Sequence, residues 1–170
     1  MRRFTFLAVP LLVACGSELT PVNATLEVSS STITATVTRS GAWDMVSFVV
    51  PLRLHNRGST PLRFAACPHY FVEYQVNGGW RDAFGGSCVS FPMQQPELKP
   101  GETAQHDLVV SVPLSGPAYP QWNPPTVAGT FRLAVPIVPI PPWRGRNPVD
   151  SYRPPTLYSN EFQLLDGREQ

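Results

Sequence analysis

Lysine is almost absent from this chain: Lys99 stands alone, and arginine carries the rest of the positive charge. Charged residues make up 15% of the 170, well under the quarter usual in soluble domains. The formal charge of +1 supplies no basic patch, which argues against a nucleic-acid partner. Apolar residues never recur every three to four positions for long, so no long helix is expected. There is no internal repeat. Nor is there a Gly-x-Ser-x-Gly elbow, a phosphate-cradling glycine loop or a His-Glu-x-x-His pair. Serine, histidine and aspartate are present without a diagnostic spacing, so neither catalysis nor a cofactor is expected. The longest apolar run, Phe4 to Val13, is too short for a bilayer, which takes about 20 residues.

That run follows Met1-Arg2-Arg3 and ends at Leu12-Val13-Ala14-Cys15, after which Gly16-Ser17-Glu18 changes the composition at once. A basic start, a short apolar run and a small-residue exit make an export signal. Leu-Val-Ala-Cys resembles the bacterial lipobox. The resemblance implies cleavage before Cys15 and a diacylglycerol on its thiol, with palmitate-class chains holding the protein to a membrane. The alternative is an ordinary secretory signal with an incidental cysteine. Residues 1–14 are then the signal, 15–23 the acylated cysteine and tether, and 24–166 one domain. Losing Arg2 and Arg3 leaves eleven basic residues against twelve acidic ones, a mature charge near −1. The expected location is a bacterial cell envelope. With Gly16 after the cysteine, the lipoprotein sorting rule implies the outer membrane.

Cys67 and Cys88 remain as an even pair in an oxidising compartment, where a disulfide is expected. It would close a loop of about 20 residues, worth roughly 3 kcal/mol in the chain-entropy picture. Two metal readings compete with it. A copper site from Cys88, Met93 and two histidines lacks the histidine that cupredoxins carry between cysteine and methionine. A zinc site from Cys67, His69 and Cys88 needs both thiols reduced. Neither metal is expected.

Proline is abundant, 20 residues in all, and favours strands joined by stiff loops. Leu26 and Val28, then Ile33, Ala35 and Val37, alternate with polar neighbours. Their phase slips across Ser29-Ser30-Ser31, which predicts a bulge or break. Val46, Phe48, Val50, Leu52 and Leu54 form the longest alternation. Pro51 within it should turn its missing N–H toward an edge or bulge. Asn77-Gly78 predicts a tight hairpin between Phe71–Val76 and Trp80–Phe84. Further strands carry Leu62 and Phe64, Leu108 to Val112, Phe131 to Val135, and Ser159 to Leu165. The predicted core is Phe48, Val50, Leu52, Leu54, Leu62, Phe64, Val110, Phe131, Leu133 and Phe162. About eight strands imply an all-β, two-sheet sandwich.

Leu54-His55-Asn56-x-Gly58-x-x-Pro61-Leu62, Leu98-x-Pro100-Gly101-Glu102-Thr103, Gly129-Thr130-Phe131-Arg132-Leu133 and Ser159-Asn160-x-Phe162 occur in that order. Together they resemble bacterial immunoglobulin-like domains on small lipoproteins. The first two stretches are also similar to the intracellular proteinase-inhibitor domain, a related sandwich. The resemblance implies a non-catalytic module that binds or scaffolds in the envelope, or alternatively a proteinase inhibitor.

Two proline-rich loops carry the remaining functional hint. Ser115 to Pro125 holds Tyr119 and Trp122. Pro136 to Pro155 has seven prolines with Trp143, Arg144, Arg146, Tyr152 and Arg153. Such residues suit a binding ridge for an envelope protein, a glycan or a lipid headgroup. The competing expectation is that the tryptophans plug the ends of the sandwich. For the anchor, Cys15→Ser is expected to accumulate as an unprocessed precursor, and the intact mass of the mature wild type to include the lipid. A mature mass without lipid would refute it.

Overall fold

The structure is a computed structural model. It describes residues 22–64, 70–84, 97–116, 121–139 and 155–169. These form ten strands: β1 (Ala24–Val28), β2 (Thr32–Ser40), β3 (Trp43–Asn56), β4 (Leu62–Phe64), β5 (Phe71–Val76), β6 (Gly79–Asp82), β7 (Thr103–Pro113), β8 (Gly129–Pro139), β9 (Thr156–Tyr158) and β10 (Phe162–Asp166). A 3-10 turn, Gly167–Glu169, follows β10. The protein is an all-β sandwich. In one layer β3 pairs with β7 on one side, and with β1 and the second half of β2 on the other. The other layer runs β10-β8-β5-β6, with β9 and β4 also on β8. β2 joins the layers: Thr32–Ala35 pair in parallel with β10, and Thr36–Ser40 antiparallel with β3.

Alternation in the sequence becomes burial. Phe48, Val50, Leu52, Leu54, Leu62, Val110, Phe131, Leu133 and Phe162 are all buried. The side chain of Phe64 lies outside the described part. Phe131 and Phe162 face each other across β8 and β10, with their rings stacked at 6.2 Å. Trp122 packs at 5.5 Å on Phe131 and meets Phe48 of the opposite layer edge-on at 6.1 Å. Its indole N–H donates to Thr126 O at 3.1 Å. Trp122 is therefore a plug between the layers, as one of the two expectations held.

The four prolines inside strands place their missing N–H where no described neighbour needs it. In an antiparallel ladder the N–H and C=O of one residue point to the same side. Pro51 O accepts from Ser29 N at 2.9 Å, so the Pro51 nitrogen faces the seam between β1 and β2. Pro136 faces the seam between β5, which reaches Ala134, and β4, which begins opposite Ile137. Pro139 lies beyond the last β8–β9 pair, and Pro113 is at the outer side of β7.

Turns follow their residues. Asn77 and Gly78 both take positive φ, 51° and 74°, and close the β5–β6 hairpin with two residues. Pro100-Gly101 forms a turn with Gly101 at φ 78°, and Glu102 N donates to Lys99 O at 3.1 Å.

Three expectations need correction. The stretch from Pro136 is not loop at its start: β8 continues to Pro139 because β4 pairs with Ile137–Pro139 and Ile137 N donates to Pro155 O on the other side. β9 was not foreseen, being only three residues between prolines and Ser159-Asn160. The last strand begins at Phe162 rather than Ser159, because side chains replace the ladder there. Ser159 Oγ accepts from Leu133 N at 2.9 Å, and Asn160 brackets Val28 by accepting from its N at 2.7 Å and donating to its O at 3.1 Å.

Asn56 is fully buried with its side chain fully used. Its amide donates to Thr60 O at 2.9 Å and Leu98 O at 3.0 Å, and its oxygen accepts from Gly58 N at 3.0 Å. Asn56→Ala is expected to destabilise the fold by about 2–3 kcal/mol, because it strands buried backbone groups. A denaturant midpoint unchanged from wild type would contradict this.

Candidate binding surface

Every residue singled out from the sequence as a site lies outside the described residues: Cys15, Cys67, Cys88, Trp143, Arg144, Arg146, Tyr152 and Arg153. The chain leaves the described fold at Pro139 and re-enters at Pro155. Pro139 pairs with Leu62, which bridges Leu98 beside Asn56. Asn23, just before β1, accepts from Arg57 N at 2.8 Å at this same end. The ends of the described chain at Pro139 and Pro155 and the entry into β1 therefore share one end of the sandwich.

The stretches that carried the family resemblance are turned onto one another. Asn56 N donates to Glu102 O, Gly101 N to Asn56 O, and His55 Nδ1 lies 2.8 Å from Thr103 Oγ1. Lys99 N donates to Glu102 Oε2 at 2.8 Å. These residues build a loop junction, and their chemistry is spent within the fold. His106 sits opposite Leu52, away from His55.

The outer face of the β3–β7 layer is different. β1 pairs with β3 only from Leu52 onward, and β2 only up to Ser47. Phe48–Pro51 is left without a ladder neighbour on that side except for Ser29. An open groove of about 580 Å³ occupies this notch. It is lined by the hydroxyl row Thr32, Thr34 and Thr36, by Ser30 and Ser47, and by Val49, Pro51 and Val109. Val49 and Val109 face each other across the β3–β7 pair and are 46% and 67% exposed. Ser47 and Ser111 continue the row, with their hydroxyl oxygens 2.9 Å apart. Among the described lining residues none is charged. The described groove lining can bury apolar groups and exchange hydrogen bonds through hydroxyls, and holds no acid, base or metal ligand, while Asp107 and Arg53 lie further along the same strand face.

The signal for it was present in the chain. Phe48-Val49-Val50 and Leu108-Val109-Val110 each place a valine on the polar phase of an alternating strand. Only the register brings the two together.

The opposite layer carries a second cluster. The Arg132 guanidinium lies 4.3 Å from the Trp80 ring and 4.2 Å from the Tyr158 ring, and its Nε donates to Glu73 Oε2 at 2.6 Å. Trp80, Arg132, Tyr158 and Glu73 come from four different strands, β6, β8, β9 and β5. The arginine is held on both faces and along one edge, so the cluster acts as a brace across this layer. At the last strand, Arg168 donates two bonds to Asp166 Oδ2 and holds that carboxyl below its usual range.

The fold and this surface define an all-β sandwich with an uncharged, hydroxyl-lined groove. No family model matches the chain, and no curated protein matches it. A solved protein of Bordetella pertussis described as ApaA is 20% identical, over 87% of this chain and 97% of that one, with a TM-score of 0.43. A Northeast Structural Genomics Consortium target solved by X-ray is 13% identical, over 86% of each chain, with a TM-score of 0.42. Likeness at this level does not bear on function.

Arg132→Lys is expected to lower stability by about 1–2 kcal/mol, since an ammonium lacks the planar fork that stacks between two rings. Chemical denaturation of both proteins measures this directly. Equal midpoints would show that the brace contributes nothing.

Proposed function

We propose that this chain is an exported, lipid-anchored binding module of a bacterial envelope, without catalytic activity. Its docking surface is the outer face of β3 and β7 with the adjoining groove. The observation that carries this reading is the pairing of Val49 with Val109. Two exposed valines, side by side on a sheet and next to an open groove, form an apolar spot with Ser47 and Ser111 on one side, Pro51 and Asp107 on the other and the hydroxyl row of the groove alongside, and exposed apolar groups of this kind can mark interaction sites. The lining supports binding over catalysis, since hydroxyls without a base are weak nucleophiles.

The anchor reading is compatible with this placement. β1 starts beside the loop junction at Asn56 and runs roughly 17 Å before reaching the groove. A lipid on Cys15 would therefore hold the Asn56 end nearest the membrane and leave the groove away from it. The proteinase-inhibitor alternative has no such support, because the stretches that suggested it are consumed by the loop junction.

A photo-crosslinking side chain placed at Val49 in the membrane-tethered protein tests the reading. Adducts are expected from position 49 and not from Arg81 on the other layer. The double variant Val49→Asp, Val109→Asp should fold and lose the partner. Adducts arising equally from both positions, or a double variant that keeps every partner, would refute the proposal.

A further inference from the structure

Among the described residues β7 pairs with β3 alone, so it forms an edge of its layer. The parity of its hydrogen bonds is fixed at both ends. At one end, the Asn56 N and O both bond toward Glu102 and Gly101. Even-numbered β3 residues therefore face β7, and their partners Ala104, His106, Leu108, Val110 and Val112 face back. At the other end, Pro113 O points outward and accepts from Trp122 N at 2.9 Å. It follows that Gln105, Asp107, Val109 and Ser111 direct their N–H and C=O groups away from β3. Natural edges of this kind are commonly blunted by lysine, proline or a bulge. Between Thr103 and Ser111 the strand has no lysine and no proline, and its one acid is Asp107. Val109, the most exposed of the large apolar residues among those described, stands near the middle of the open row.

We propose that a second copy of this chain pairs with β7 in antiparallel fashion, on a two-fold axis at Val109. Outward-facing residues must oppose outward-facing residues, which restricts the register. An axis at Asp107 would set two carboxylates directly opposite, a destabilising arrangement. An axis at Leu108 would set each Asp107 against a valine. The axis at Val109 places valine against valine and each Asp107 against Ser111 of the other copy. Beside Pro113 the outward position is already filled by Trp122, whose N–H bonds the Pro113 carbonyl, so the pairing is confined to Asp107–Ser111. The outer face becomes a continuous strip, Val49 and Val109 of one copy followed by Val109 and Val49 of the other. One strand pair covers less than the roughly 1,200 Å² of a standard interface, so the dimer is weak and driven by concentration.

This inference goes beyond the docking-surface reading: the second copy takes the edge of β7 that borders that surface and leaves the groove open. The test uses the whole chain with Val109→Cys. Directly opposed hydrogen-bonded residues have Cα atoms about 5.5 Å apart, inside disulfide range. Under mild oxidation Val109→Cys is expected to give a covalent dimer. Gln105→Cys, and the wild type with its native cysteines, should give none. In sedimentation the wild type should shift toward a dimer with concentration, and Val109→Lys should stay monomeric with an unchanged melting temperature. Equal dimer yields from positions 105 and 109, or a wild type monomeric at every concentration, would overturn the pairing. A Val49 crosslink to a foreign protein without a Val109 dimer would retire self-pairing and leave the docking surface standing. Loss of both would retire both.

Discussion

A proline has no hydrogen to give to a ladder, and the layout of this sandwich follows from where four of them sit in strands. At Pro51 the middle of β3 cannot donate toward β1 or β2. β1 ends beside it, with Ser29 donating to the proline carbonyl, and β2 then departs to pair with β10 before returning to β3 at Thr36. Pro136 does the same for β8, where β5 gives way to β4. Each proline thus marks a seam at which one neighbouring strand replaces another. The seam at Pro51 is also the notch that forms the groove. A covalent restriction on one residue is in this way carried through topology to a surface feature.

The second constraint is the buried amide of Asn56. A polar side chain that is fully buried must find partners for all its groups. Here those partners are the backbones of Thr60, Leu98 and Gly58, so one side chain gathers the turn after β3 and the bridge at Leu98, while the Asn56 main chain holds the Pro100-Gly101 turn. Asn160 works in the same way between β1 and the start of β10. Both asparagines sit in the stretches whose sequence suggested an immunoglobulin-like domain, and in this fold their side chains do structural work.

These two constraints also separate surfaces that composition alone would group together. Trp122 lay in a proline-rich loop with the marks of a binding residue, yet it fills the space between the layers. Trp80 and Tyr158 are surface aromatics, yet they clamp Arg132 and stiffen their own layer. The described lining of the groove on the outer face of β3 and β7 has no charge and, apart from Phe48 of the core, no aromatic. It stands out because its valines have no internal contact to satisfy.

Local chemistry was enough to determine the strands and their inward faces. Alternation is a property of neighbouring residues, and Phe48 through Leu54 or Leu108 through Val112 declare their buried side without any partner. The hairpin at Asn77-Gly78 and the break at Ser29–Ser31 are local in the same sense. Strand β9 and the extension of β8 to Pro139 were not legible, because three-residue strands and prolines in strands depend on what lies alongside. The groove was hidden for the same reason. Val49 and Val109 are 60 positions apart in the chain. Each taken singly is an ordinary exposed valine, and only the register of β3 against β7 makes them neighbours.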